Sequence, residues 1–238
     1  MSHLDTALKR SGSFTRAGER SFKAHRVYDR LALLVAITAV VGSAVYVAVG
    51  TGASVGPFLI PAFLVALGGG LLGSFKPDLA QKVAVPYAIA EGVILGAISK
   101  AYSNLGSGIV TFALVGTSAF FVGCLVMFRT GTVKVTPRFT KMIGAASIAF
   151  FIVLMLRLVG VPIPGIADVR GGGALIIGAI GLFIGLGSLF VDFERIRQIE
   201  DNGTMTDKAE WFLAFQLMLS LVMVYISLLR ILGATSRR

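Results

Sequence analysis

Seven stretches of the chain are apolar for long enough to cross a bilayer. The hydrocarbon core is about 30 Å thick and needs about 20 helical residues to span it. The stretches run from Leu31 to Val49, Val55 to Ser74, Val83 to Ala101, Ile109 to Phe128, Met142 to Val159, Ala174 to Asp192 and Trp211 to Leu232. Short connections rich in Gly, Pro, Lys and Asp separate them and leave no room for a soluble domain. Inside lipid every backbone N–H and C=O must be satisfied within the segment, so uninterrupted apolar runs predict helices. The pattern therefore predicts an all-α, polytopic integral membrane protein with seven transmembrane helices over residues 31–238.

Composition supports the same class. Of 238 residues, 55% are hydrophobic and only 14% charged. That share is about half the usual one and cannot furnish the skin of a water-soluble enzyme. One cysteine, Cys124, excludes a disulfide framework and a cysteine-based metal cluster. The two histidines, His3 and His25, both lie near the N-terminus, which removes histidine catalysis and histidine-ligated metals from the apolar body. Neither a cofactor nor a metal site is expected.

Residues 1–30 differ from the rest. They carry seven Lys and Arg, and the segment reads as a basic arm held near anionic headgroups, with Phe14 and Phe22 able to dip into the interface. It is too long and polar for a cleaved signal peptide. The net charge of +10 belongs to such membrane-facing segments, and no nucleic-acid-binding motif accompanies it. With the N-terminus inside, 16 Lys and Arg fall on the inner side and 6 on the outer. This bias predicts a cytoplasmic N-terminus in the cell's inner membrane and, after seven spans, an external C-terminus. Glycines four apart (Gly69 and Gly73, Gly92 and Gly96, Gly181 and Gly185) predict close helix packing within the bundle.

Charges within a bilayer are costly, so each needs a reason. Glu91 lies about 12 Å along the third helix from Val83, near mid-membrane. Asp192 sits at the inner end of the sixth helix with Glu194 two residues on, a spacing that points at most one of them into the bundle. Arg157 and Arg230 read as anchors that snorkel to the outer interface. The acid-rich stretch from Glu194 to Glu210 reads as a solvated inner connection with a turn at Asp201-Asn202-Gly203, since it lacks the calcium-loop spacing.

Three groups of residues resemble the Bax inhibitor-1 (transmembrane Bax inhibitor motif) family, and within it the bacterial YccA-like branch. The first is Phe75-Lys76-Pro77 with the run from Tyr87 to Ser99 around Glu91-Gly92. The second runs from Val135 to Lys141. The third runs from Val191 to Arg197, followed by Glu210-Trp211 and a helix ending Leu228-Leu229-Arg230. The resemblance implies six helices around a central seventh. It also implies a calcium-permeable leak whose pH sensitivity rests on two proton-sharing aspartates, one on the sixth helix and one on the seventh. Asp192 matches the sixth-helix member; the seventh-helix place falls on Ser220, with Ser227 the other polar candidate. A serine does not ionise near neutral pH, so the two-carboxylate pair is incomplete unless Glu91 or Glu194 supplies the second acid.

The expected function is a cation (calcium or proton) leak channel with carboxylate-based pH sensing. Its pathway would use Asp192, Glu91, Ser220 and Glu194, with Gln216 as a further polar group, provided they converge on one cavity. The alternative is a non-conducting regulator that binds another membrane protein, such as an ATP-dependent membrane protease. No enzyme is expected: the body has no histidine base, no second in-membrane aspartate and no phosphate-binding glycine loop.

Overall fold

The computed structural model describes residues 24–158, 160–161, 171–202 and 207–236. Seven helices follow in chain order: α1 Ala24–Gly50, α2 Gly56–Phe75, α3 Pro77–Ser103, α4 Ile109–Arg129, α5 Pro137–Leu158, α6 Gly172–Asn202 and α7 Asp207–Thr235. All seven are long and apolar enough to cross a membrane. No strand occurs among the described residues.

The helices begin earlier or run later than the apolar runs, because hydropathy marks the part in hydrocarbon while backbone hydrogen bonding continues past it. α1 starts at Ala24, so Arg26 and Arg30 belong to the first helix and not to a separate arm. Residues 1–23, with Phe14 and Phe22, lie outside the described residues. α3 opens on Pro77 with Asp78 in its first turn, a start suited to proline's fixed φ and to the positive end of the helix dipole. α6 continues ten residues beyond Asp192, which places that residue about 15 Å from the helix end. Gly203 and the rest of the following connection lie outside the described residues.

α7 packs against α6, α3, α1, α4 and α2. It is the central helix, but five helices rather than six surround it: α5 packs on α6 alone. The reason is visible in the faces. α7 is buried through Leu213, Ala214, Phe215, Leu217, Met218 and Val224, whereas α5 has only Ile143 in the core and turns Met142, Ile148 and Ile152 outward.

The glycine pairs make seams within the bundle. A Cβ on Gly92 would sit 2.8 Å from Val41 Cβ and 2.9 Å from the Thr38 carbonyl oxygen, so α1 and α3 approach there as only glycine permits. Gly181 and Gly185 receive Ser227 and Val224 of α7, and Gly69 and Gly73 receive Tyr87 and Phe215.

Candidate functional site

The tightest polar contact between α6 and α7 joins two of the residues singled out by sequence. Ser220 Oγ donates to Asp192 Oδ2 at 2.6 Å, and both residues are buried. Asp192 projects from α6 beside Phe193, whose ring packs against Phe121 and Phe128 of α4. Arg195, one turn on, brings its Nη1 to 3.8 Å from Asp192 Oδ1 while its side chain remains exposed. Lys76, a candidate partner by sequence, is not among the groups acting on Asp192; among the described residues Ser220 and Arg195 are, and no second carboxylate is.

Glu194 is also buried, which corrects the expectation that only one of the two acids turns inward. Its Oε1 accepts from Arg197 Nη2 and Gln198 Nε2, both at 3.0 Å. The Arg197 guanidinium in turn lies over the Phe128 ring, 5.5 Å from its centroid. Asp192 thus meets α7 while Glu194 meets side chains of its own helix, so they use different partners although both are shielded.

Glu91 is buried on α3, with Tyr87 one turn before it as its polar neighbour. α3 and α6 make no direct packing contact, so Glu91 and Asp192 do not form a pair. Gln216 is half-buried on α7. Ser227 donates to the Met223 carbonyl at 2.7 Å and backs onto Gly181, so it serves the helix seam. Arg230 is half-buried beside Tyr102; the side chain of Arg157 lies outside the described residues.

Sequence reasoning misses Glu210. It reads as part of a solvated connection, yet it is 1% exposed. Arg26 Nε lies 3.2 Å from its Oε1 and Arg30 Nη2 lies 2.8 Å from its Oε2. Arg30 also stacks over Trp211, 5.0 Å from the ring centroid. Arg26 and Arg30 are four apart on one face of α1, a spacing that signals a shared acidic partner once the helix is known to start at Ala24.

Two cavities bear on these residues. One, of about 620 Å³, lies between α1, α3, α4 and α7; the other, of about 360 Å³, is lined by α2 and α3. None of Asp192, Glu91, Glu194 or Ser220 lines either. In this conformation the polar groups therefore converge on neither cavity. No group of three or more acidic, His or Cys residues arranged to hold a metal occurs among the described residues.

The family model described as Bax inhibitor 1 like matches residues 6–237. No curated protein matches the chain.

Proposed function

The chain belongs to the Bax inhibitor 1 like family, and from that premise we propose that it is a cation leak, for calcium or protons, held closed by the Asp192–Ser220 contact. That contact carries the reading, because it is a buried, charge-bearing link between α6 and the central helix. An ionised Asp192 accepts from Ser220 and attracts Arg195. Protonation removes the charge that strengthens both interactions, so it loosens α6 from α7. The sensor is then a single carboxylate, and the pH response has one-proton character in place of the steeper response of a coupled pair. Asp192 and Ser220 together offer few of the six to eight oxygens a calcium ion prefers, which suits passage rather than storage.

The test is calcium and proton flux into liposomes holding the purified protein, from about pH 5 to 8. Ser220→Asp is expected to steepen the pH response, and Asp192→Asn to abolish it. The same pH profile in parent and Ser220→Asp would overturn the role of this contact.

A second reading, a non-conducting, YccA-like regulator of another membrane protein such as an ATP-dependent membrane protease, is favoured by the absence of these polar groups from either cavity. Flux no greater than that of empty liposomes at every pH would select it. For either reading we place the protein in the inner membrane with its N-terminus cytoplasmic, on the charge bias of the segments. A reporter at Arg238 is expected to score as external.

A further inference from the structure

α1 and α4 both lean on α7 and α3 but make no packing contact with each other. The gap between them is the groove of about 620 Å³, room for roughly twenty waters at ~30 Å³ each. Its walls include Ala32, Ala39 and Ser43 of α1 and Leu114 and Ser118 of α4, all exposed within this chain. Ser99 and Tyr225 share a hydrogen bond of 2.7 Å in its floor.

Water has little to hold it there. Three wall hydroxyls are turned onto helix carbonyls: Thr38 donates to Ala88 at 3.0 Å, Thr117 to Ala113 at 2.8 Å and Ser118 to Leu114 at 3.0 Å. A buried water needs two to four polar partners, so an apolar occupant is favoured. On α1 the groove extends from Tyr28 to Val47, about 28 Å at 1.5 Å per residue. Its ends are basic. At the end where α1 begins, Tyr28 lies near Arg129, the exposed last residue of α4. At the other end Lys100 lies over Tyr46, 5.3 Å from the ring centroid.

We propose that this groove binds a phospholipid with an anionic headgroup, its acyl chain lying between α1 and α4 and its phosphate on Arg129. The apolar walls match the chain, and the charge at the mouth matches the phosphate. Arg129 suits the phosphate better than Lys100 does. Its planar fork matches phosphate oxygens, whereas Lys100 is already engaged with an aromatic face. Glu200 also acts on Tyr28 from α6 and is an acid at this mouth, so Arg129 sets the preference against that opposing charge.

The experiment is native mass spectrometry of the full chain released from nanodiscs of equal phosphatidylglycerol and phosphatidylcholine. The parent is expected to retain phosphatidylglycerol preferentially. Arg129→Gln is expected to reduce that preference roughly tenfold while lipid is still retained. Ala39→Trp, which fills the groove from an exposed position, is expected to lose the retained lipid. Ile148→Trp on the outward face of α5 is expected to keep it. Should Ala39→Trp fail to fold, Ser118→Phe fills the groove from the opposite wall. Equal retention of both lipids by the parent, an unchanged preference in Arg129→Gln, or undiminished lipid in the filled-groove variant would each overturn the proposal. So would retention of a foreign membrane-spanning peptide in place of lipid.

Discussion

Asp192 and Glu210 are both carboxylates almost wholly removed from solvent, 4% and 1% exposed, in the half of the bundle where α6 ends and α7 begins. Their surroundings differ. Glu210 sits one turn into α7 and meets two guanidiniums from α1. Asp192 lies deeper and meets one hydroxyl at 2.6 Å, while the cation acting on it, Arg195, stays at 3.8 Å. A buried carboxylate between two arginines gains most of its stabilisation from being charged, and losing that charge removes an ion pair from each arginine. A carboxylate against a serine keeps a hydrogen bond when protonated, but a weaker one. The first arrangement is a fixed clamp between the first and last helices. The second is a contact that weakens without breaking when the charge is lost, as the proposed leak requires.

The largest effect expected from breaking this contrast is at Glu210. Glu210→Gln keeps the shape but removes the charge that pairs with Arg26 and Arg30, and should cost about 2–3 kcal/mol. The same conservative change at Asp192, Asp192→Asn, leaves an amide oxygen for Ser220 to donate to and should cost less than about 1 kcal/mol. Thermal unfolding of the two variants in one detergent measures the difference; equal losses would mean that the two acids are equivalent clamps. Ser220→Ala sharpens the comparison from the other side. It leaves the buried Asp192 without its hydroxyl donor and should cost about 1–2 kcal/mol in the same assay. No loss there would mean that the contact contributes nothing to holding α6 on α7. The smallest effect is expected at Lys208, which meets Asp78 at 3.0 Å across the same end of the bundle but with both side chains exposed. Lys208→Gln should change stability by less than about 0.5 kcal/mol, and by less still at high salt.

Asp192 is legible as a candidate because a lone acid in an apolar helix is conspicuous, and its alignment with Ser220 follows from counting along the seventh helix. That both Asp192 and Glu194 are buried is not legible: helical periodicity separates their directions but cannot show that both directions are shielded at once. Glu210 is hidden by its neighbours. In sequence it closes a run of acids, while its partners Arg26 and Arg30 are about 180 residues earlier, in what reads as a basic arm.

The seven helices, their approximate spans and the small-residue seams are all written along the chain, because they depend on local hydropathy and on where side chains are missing. Continuous apolar runs leave lipid-exposed segments no alternative to the helix. Which helices touch is written nowhere along it. The packed bundle placed α5 at the periphery on α6, left a groove between α1 and α4, and kept Glu91 apart from Asp192. Helix pairing in lipid has no hydrophobic driving force to mark it residue by residue. It is settled by the fit of whole faces, such as Gly92 against Thr38 and Val41, and by long-range ion pairs such as Glu210 with Arg26 and Arg30.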